Sequence, residues 1–460
     1  MTAPEGAVGH RPGAPVAELN ARIDRLPTWG LSWVVFLVLG LSYFFVYYDI
    51  TAIGVSLPSM LANLRLPESA SGPPITYNLL AYIVGSYALG SMADYIGRRR
   101  TLVISVMIIT VGSLLTAFSW NLVSLTLFRA LTGIGMGAQI ALAATFLGEY
   151  SNAKSRGRFL ALNTVWGALG FVVSPFIGLG LLPLPSVGWR ILVGIGALAV
   201  VLLFFCRDRW LPESPRWLVL HGHAEAAERT VARMERNAER RSGRPLPPPA
   251  VIPAEEPLTG FPTAHLLSRK YLPRLAVVFF FWAMFYMWIY GYLGYQPTLL
   301  TKLGIALPSG LLYTGIGFLG FLAGGLLAPV LIDHLERKVL VGLGIVVAIG
   351  GFVLLALGTG PASIIVGELL VGFGNFAAVT AAYAYTAEVF PTRARASAMS
   401  IGDGLGHIGG AVAPYIVLAL LSVTSARAVF GAFAVMALIS LLIILGAVRA
   451  TKRGLTELSG

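Results

Sequence analysis

Long apolar runs separated by short polar segments fill most of the amino-acid sequence, and this pattern constrains the fold more than any other feature. A helix needs about 20 apolar residues to cross the hydrocarbon core of a bilayer. Only 12% of the residues are charged, about half the share typical of soluble domains. We therefore expect an all-α membrane protein with twelve transmembrane helices. The predicted spans are 30–57, 75–92, 101–119, 122–147, 159–181, 189–206, 272–300, 309–332, 339–359, 362–386, 397–421 and 426–448.

Several classes of protein are excluded by what the sequence lacks. The single cysteine, Cys206, cannot form a disulfide within the chain. There is no HExxH, no CxxC and no spaced His/Asp cluster, so we expect no enzyme, no metal and no cofactor. The stretch Gly133-Ile-Gly-Met-Gly137 lies inside a span, where glycines allow close helix packing. We expect no signal peptide, because the run after the polar first 29 residues is too long for a signal.

Basic residues fall almost entirely on one side of the predicted topology. With both termini on that side, the opposite side holds only Arg65, Arg190, Lys302 and Arg427, and Arg129 stands inside a span. Lysine and arginine collect in cytoplasmic loops because they resist translocation. The net charge of +12 is therefore explained by topology, and we expect no nucleic-acid partner. Both termini and the central loop are expected on the cytoplasmic side of the plasma membrane.

The loop after the sixth predicted span divides the chain into two halves. We predict a surface helix at 223–242, which is rich in Ala, Glu and Arg, and a proline-rich linker at 245–257. The predicted units are an N-tail 1–29, a six-helix bundle 30–207, a cytoplasmic linker 208–271, a second bundle 272–448 and a C-tail 449–460.

Charged and special residues of the first half recur in the second half at a constant offset of 239 positions. Repeated six-helix halves are typical of alternating-access carriers, which bind substrate near the midplane between the halves. The corresponding pairs are Asp94 and Asp333, Arg98 and Arg337, Gly133 and Gly372, Gly135 and Gly374, Glu149 and Glu388, Arg156 and Arg395, Gly170 and Gly409, and Pro175 and Pro414.

Two of these segments also carry a family resemblance. Gly90-Ser-Met-Ala-Asp94-Tyr-Ile-Gly97-Arg98-Arg99-Arg100 resembles the loop 2–3 signature of the major facilitator superfamily (MFS), and Pro212-Glu-Ser-Pro-Arg-Trp-Leu218 resembles its sugar-porter branch and relatives. The resemblance implies two pseudo-symmetric six-helix bundles and secondary transport by a monomer. The same branch is indicated by the spacing of Arg129, Glu149 and Arg156-Gly-Arg158, repeated as Glu388, Pro391 and Arg395.

Charges at the predicted cytoplasmic ends of the spans are candidates for a gate. We expect ion pairs that bridge the two bundles and hold the cytoplasmic side closed; alternatively, these residues only orient the loops. Exposed pairs contribute about 0–1 kcal/mol each, so only a network would hold a gate. The candidates are Asp94, Arg98, Glu149, Arg156, Asp333, Arg337, Glu388 and Arg395.

Asp49 and Arg129 are charged residues inside predicted spans, where such residues are costly and usually functional. The stretch around Asp49 resembles the first-span motif of proton-coupled sugar and metabolite symporters, whose aspartate pairs with a fourth-span arginine. Arg129 occupies the matching position. Burial and a neighbouring arginine act on a carboxyl's proton affinity in opposite directions. The pair is therefore expected to bind and release a proton, the alternative being a static ion pair.

The resemblance to sugar porters fails at the positions that recognise a sugar. Thr164, Tyr383 and His407 replace the expected Gln, Trp and Trp. Tyr290-Gly-Tyr-Leu-Gly-Tyr295-Gln-Pro-Thr resembles the metabolite–proton symporter and synaptic-vesicle-protein-like branch instead. We therefore expect proton-coupled symport of a small organic anion, preferably aromatic. An organic-cation carrier, a sugar carrier and an uncoupled facilitator stay open, whereas a non-transporting sensor is not favoured.

His407 is the one histidine within a predicted span. Protonated, it favours an anion; alternatively, it only bonds a backbone carbonyl. Glu368, the repeat partner of Arg129, is either an outer-gate charge or an interfacial residue. The expected partners are the substrate, protons and the lipid bilayer. The candidate substrate residues are His407, Tyr48, Thr164, Tyr290, Tyr295, Tyr383 and Glu368.

Overall fold

The computed structural model describes residues 14–152, 155–249, 266–332, 334–390 and 395–448. Within these residues, twelve helices are long and apolar enough to cross a membrane, which confirms the predicted all-α fold. They are numbered below as spans in chain order. The spans are Trp33–Asn63, Glu68–Ile96, Arg98–Ala117, Leu122–Tyr150, Arg156–Leu181, Gly188–Phe205, Leu272–Lys302, Leu307–Leu331, Arg337–Leu357, Pro361–Glu388, Ser397–Val423 and Ala426–Leu445.

The helix ends follow from local sequence. Ser32 caps the first span by accepting a hydrogen bond from the Val34 amide, and Asn121 and Ser124 form a capping box at the fourth. Polar caps and turns lie outside the apolar runs, so several helices are longer than the sequence predicted. The second span, for example, begins at Glu68, seven residues before the predicted start at position 75.

Among the described residues, two spans depart from regular α-helix in their interior, and the second span begins with a 3₁₀ turn, Glu68–Ser71. The middle of the sixth span is a 3₁₀ segment, Ile195–Val200, and the eleventh contains a π-helical segment, Ser400–Gly404. Such π segments are frequently found at functional sites, because the extra residue turns one side chain away from the regular helix face. Asp403 is the charged residue of this segment.

The linker helix, Ala224–Ser242, lies against the first half together with the N-terminal helix Ala14–Asp24. Arg22 and Arg25 pair with Glu235 at 2.8 and 2.6 Å. Although partial burial acts in the opposite direction, hydrogen bonds from these two arginines hold the pKa of Glu235 below its usual value. We call the side of the bundle that carries this linker the linker face, and the opposite side the far face.

The two halves contact each other closely near the far face. The first and seventh spans meet where Gly54 lies against the Leu293 carbonyl, so that a Cβ at Gly54 would be 2.2 Å from that oxygen. The hydroxyls of Ser71 and Tyr295 are 2.9 Å apart. These contacts close the far face.

A second set of contacts joins the halves at the edge of the far face and in the middle of the bundle. Lys302 pairs with Glu68 at 2.8 Å at that edge. In the middle, the ring of Phe171 in the fifth span packs on Phe321 in the eighth, with centroids 4.8 Å apart. The halves are therefore in contact from the far face to the centre of the bundle.

Candidate functional site

Asp49 and Arg129 form a buried ion pair inside the first half. Arg129 Nη1 lies 2.7 Å from Asp49 Oδ2, and each side chain is 1% exposed. Ser113 of the third span donates a hydrogen bond to Asp49 Oδ1 at 3.1 Å. The structure thus brings together the two residues that the sequence paired, and adds a hydroxyl that no sequence pattern indicated. Removing one partner of such a pair costs about 3–5 kcal/mol, because the other charge stays buried.

The 3₁₀ segment of the sixth span covers this ion pair. A Cβ at Gly196 would lie 2.9 Å from Ser113 Oγ and 3.4 Å from Asp49 Oδ1. A larger residue at this position would displace the hydroxyl from the carboxylate. The missing side chain therefore lets the backbone of the sixth span approach the pair closely.

His407 lies between two tyrosine rings that belong to different halves. Its ring stacks on Tyr82 of the second span, with centroids 4.2 Å apart and an interplanar angle of 23°. On the other side, the ring of Tyr286 in the seventh span is 4.0 Å away. His407 Nδ1 is 2.7 Å from the Asp403 carbonyl oxygen, and Nε2 is 3.2 Å from the Tyr290 hydroxyl. The aromatic cluster, as we call it below, consists of Tyr82, Tyr286, Tyr290, Tyr383, Asp403 and His407.

Asp403 is the acidic member of the aromatic cluster. Its Oδ1 accepts hydrogen bonds from the hydroxyls of Tyr286 and Tyr383, the latter at 2.9 Å. Sequence reasoning left Asp403, Tyr286 and Tyr82 out of the site. A signal was present for Tyr286, because it precedes Tyr290 by four residues, and residues four apart share one face of a helix.

Four predicted substrate residues lie outside the aromatic cluster: Glu368, described below, and Tyr48, Thr164 and Tyr295. The Tyr48 hydroxyl donates to the Leu192 carbonyl at 2.8 Å, within the first half. Thr164 bonds the Ala161 carbonyl of its own helix at 2.7 Å. Tyr295 contacts the other half, but at the far-face contact described above. Their roles as substrate contacts stay predictions.

Glu368 is fully buried inside the second half. Its carboxyl oxygens are 2.8 Å from the Tyr292 hydroxyl and 2.6 Å from Gln296 Nε2. The eighth span approaches closely, since a Cβ at Gly317 would lie 2.2 Å from Glu368 Cβ. Glu368 is therefore not an interfacial residue, because its side of the tenth span is turned towards the seventh and eighth spans. Its role as an outer-gate charge stays a prediction.

The charged residues at the linker face pair within each half. Arg98 is 3.0 Å from Asp94 and 3.7 Å from Glu149, and Arg337 is 3.0 Å from Glu388. The sequence analysis expected pairs that bridge the halves. In the described part of the chain, no ion pair joins the two halves at this face.

Of the other three gate candidates, Arg156 alone has a side chain among the described residues. Arg156 is exposed. Asp333 lies outside the described residues, and so does the side chain of Arg395. The gate network therefore stays a prediction.

The segment Pro212–Leu218 supplies a cap for the third span. Glu213 accepts hydrogen bonds from the backbone amides of Arg98 at 2.9 Å and Arg99 at 3.1 Å, at the helix end that favours negative charge. Burial raises the pKa of Glu213, and these amides act in the opposite direction. Gly97 has a φ of 100° and a Cβ there would lie 2.4 Å from Glu213 Oε2. The two sequence signatures thus meet at one helix N-terminus.

Gly97→Ala is expected to destabilise the protein by about 1–2 kcal/mol, because an L-residue is strained at positive φ and the new methyl group displaces the cap. Thermal unfolding of the purified protein in detergent measures the effect. The matched control is Gly90→Ala in the same signature, where a Cβ meets nothing within 4 Å. Equal unfolding temperatures of the two variants would contradict the capping role of Glu213.

Two six-helix halves with a mixed aromatic and polar cluster between them define a membrane carrier of small molecules. Residues 40–458 match the family described as "Sugar (and other) transporter", and the chain belongs to this family. The fold is that of the major facilitator superfamily. It superposes on the proton:xylose symporter XylE from E. coli with a TM-score of 0.71 at 18% identity, covering 93% of this chain and 98% of XylE.

Bacterial carriers of other metabolites are also similar in sequence. The niacin transporter NiaP of Acinetobacter baylyi is 28% identical over 406 residues, which cover 87% of this chain and 90% of NiaP. A gallate transporter of Pseudomonas putida is 26% identical over 414 residues, which cover 89% of this chain and 90% of that protein. The similarity thus extends over nearly the full length of both relatives.

Proposed function

We propose that this protein is a proton-coupled symporter of small aromatic organic anions. The observation that carries the proposal is the aromatic cluster, where Tyr82 and Tyr286 flank the planar ring of His407 from opposite sides. Rings of this kind bind flat solutes through stacking, worth about 0.5–1.5 kcal/mol per pair beyond buried area. Niacin and gallate, the substrates in the names of two relatives, are both flat aromatic acids.

The position of the aromatic cluster suits alternating access. Tyr82 belongs to the first half, whereas Tyr286, Tyr290 and His407 belong to the second. A solute held between rings of both halves is exposed to one side or the other as the halves rock. His407 Nδ1 donates to the Asp403 carbonyl oxygen, so Nε2 donates to the acidic group of such a solute when the imidazole is protonated. The structure, closed at the far face, corresponds to a carrier that releases towards the linker face.

Asp49 supplies the proposed proton coupling. Among the described residues, its carboxyl pairs with Arg129 and accepts a hydrogen bond from Ser113, both of the first half. A carboxyl with one cationic partner is able to bind a proton whenever rocking weakens that pair. The Ser113 hydroxyl, which donates to Asp49 Oδ1, holds the carboxyl in place during the exchange.

Orientation in the membrane follows from the basic residues. We assign the linker face to the cytoplasm and the protein to the plasma membrane, because lysine and arginine stay on the cytoplasmic side. The charges of the linker face, including Arg98, Glu149, Arg337 and Glu388, are proposed to gate this side. In the present arrangement they pair within each half, which leaves them available to rearrange when the cytoplasmic ends approach each other.

One observation favours a second candidate, an organic cation as the substrate. The Asp403 carboxylate accepts hydrogen bonds from two tyrosines of the aromatic cluster. A carboxylate surrounded by aromatic rings also suits a cation, which ring faces attract. A negative charge introduced at position 407 should weaken the binding of an anion and strengthen the binding of a cation. A substitution there therefore distinguishes the two candidate substrates.

His407→Asp is expected to weaken the binding of nicotinate and gallate by about tenfold or more, since a new negative charge is placed in the site and tenfold corresponds to ~1.4 kcal/mol. Ligand-induced thermal shifts of the purified protein measure the affinity, because a ligand of the folded state raises its stability by mass action. His407→Asn is the matched control, since it removes the ring without adding charge and should weaken binding less.

Two outcomes would contradict the anion proposal. In the first, neither aromatic acid shifts the unfolding temperature of the wild-type protein while xylose does. In the second, His407→Asp tightens the binding of a quaternary ammonium compound such as choline, which wild type binds already. The second result would establish the organic cation as the substrate.

A further inference from the structure

We propose that Glu368 is a second proton-binding site, located in the second half and neutral while the far face is closed. This inference extends the proposed proton coupling, although its test requires no substrate. It begins from the position of the carboxyl: Glu368 is 0% exposed and lies between the seventh, eighth and tenth spans. Nothing in the aromatic cluster or the Asp49–Arg129 pair uses this group.

The described neighbours of Glu368 include no cation. Tyr292 and Gln296 face it from the seventh span, and Gly317 faces it from the eighth. The ninth span packs on the adjoining turns of the tenth through Gly351 and Leu355. Tyr292 is thus the one titratable side chain that contacts Glu368 within the described residues. An ionised carboxylate buried without a cation is strongly disfavoured, and such a group takes up a proton instead.

The hydrogen bonds around Glu368 fit a neutral acid. Gln296 Nε2 donates to Oε1 at 2.6 Å, and Gln296 Oε1 in turn accepts from the Thr314 hydroxyl at 2.6 Å. With the amide in this orientation, Oε1 is the carbonyl oxygen of the acid. The Thr314 hydroxyl also lies 2.7 Å from the Gly310 carbonyl oxygen, and its single hydrogen bonds one of the two acceptors. Oε2 is 2.8 Å from the Tyr292 hydroxyl oxygen, which donates to an ionised carboxylate and accepts the proton of a neutral acid. Every polar atom of the protonated group therefore has a partner.

The internal repeat shows how the two halves differ. Glu368 corresponds to Arg129, 239 positions earlier, and both side chains are buried in the contact between two spans of their own half. In the first half, Asp49 provides the opposite charge. In the second half, the corresponding contact offers a phenol and an amide, so a proton takes the place of the counter-ion.

The proton on Glu368 is linked to the far-face contact through the seventh span. Leu293 and Tyr295 of this span contact the first half at Gly54 and Ser71. Tyr292 and Gln296, which hold Glu368, adjoin them in sequence. Opening of the far face moves this stretch, which changes the donors around the carboxyl. We therefore expect Glu368 to exchange its proton when the far face opens.

Infrared spectroscopy of the full-length protein in hydrated lipid films tests this proposal. At neutral pH, wild type is expected to show the carbonyl stretching band of a protonated carboxylic acid, with a small shift to lower frequency in D₂O. Glu368→Gln should remove that band, because an amide of the same size replaces the acid. The matched control, Glu225→Gln, changes an exposed glutamate on the linker helix and should leave the band unchanged.

A second variant keeps the test decisive if Glu368→Gln does not fold. Tyr292→Phe removes the partner of the acid proton without altering the carboxyl, and should shift the band to higher frequency. A band that is the same in wild type, Glu368→Gln and Tyr292→Phe, or a wild type without any such band, would overturn the proposal. The infrared measurement is independent of nicotinate binding and of Asp49. Failure of this proposal is therefore distinct from failure of the proposed function.

Discussion

Asp49→Asn is expected to abolish accumulation of substrate driven by a pH gradient, while exchange of substrate between the two sides is kept in part. Asparagine has the size of aspartate and still accepts a hydrogen bond from Ser113, but it binds no proton at physiological pH. Net uptake requires the unloaded carrier to return and to exchange its proton, whereas exchange needs only the loaded carrier. The variant should therefore exchange labelled for unlabelled substrate without accumulating it.

Proteoliposomes with labelled nicotinate provide the measurement, with the outside acidified for uptake and with preloaded vesicles for exchange. Asp49→Asn leaves Arg129 buried without its counter-ion, which costs about 3–5 kcal/mol, so the double variant Asp49→Asn with Arg129→Gln is included to restore stability. Ser113→Ala is the control that keeps the titrating carboxyl, and it should still accumulate substrate. Accumulation by Asp49→Asn against the nicotinate gradient would show that Asp49 is not the proton site.

The twelve spans were predictable from sequence because length and the absence of charge decide whether a helix crosses a bilayer. Helix ends were less predictable, since caps such as Ser32 and polar turns such as Glu68–Ser71 extend the helices beyond the apolar runs. The pairing of Asp49 with Arg129 was predictable for an energetic reason. Two opposite charges within neighbouring spans are far less costly together than apart.

The aromatic cluster was only partly predictable. The seventh span has aromatic residues on all its sides, so its sequence does not show which rings face the other half. Tyr82 could not be identified from the sequence, because a tyrosine near the middle of a span is just as often an ordinary packing residue as a residue of a binding site. Asp403 reaches the cluster from the π-helical segment Ser400–Gly404, and regular helical spacing does not predict the direction of a side chain there.

Rotation of a helix about its own axis explains the remaining differences. Tyr48 was expected to contact the substrate. Its side chain, like that of the adjacent Asp49, instead points into the first half and away from the second. The repeat aligned Glu368 with Arg129 but did not show that its side chain turns towards the seventh and eighth spans. In a bilayer, lipid, a neighbouring span and the opposite half are all apolar surroundings. Hydrophobic periodicity therefore loses the directional information that it carries in soluble proteins.

Gly54→Trp is expected to hold the transporter open at the far face and to abolish both accumulation and exchange. Even a Cβ at this position would lie 2.2 Å from the Leu293 carbonyl oxygen, and an indole requires the first and seventh spans to separate. Overpacking a tight contact costs about 1–3 kcal/mol, which corresponds to roughly a tenfold to hundredfold shift in the conformational equilibrium. Loss of exchange distinguishes this variant from Asp49→Asn, which blocks only net uptake.

Labelling of a single engineered cysteine by a membrane-impermeant maleimide reports the state of the far face. Thr76 is suited to this, because it is buried there and donates to the Ala411 carbonyl of the other half at 2.7 Å. The native Cys206 is itself buried and is replaced by alanine in every sample.

Thr76→Cys should react slowly in the protein that keeps Gly54 and rapidly in the Gly54→Trp variant. Gly180→Trp is the matched control, since a Cβ at Gly180 meets nothing within 4 Å. In this variant, labelling of Thr76→Cys should stay slow. Slow labelling with Gly54→Trp, together with intact exchange, would mean that the Gly54–Leu293 contact does not control access, because the halves would then separate elsewhere along their interface.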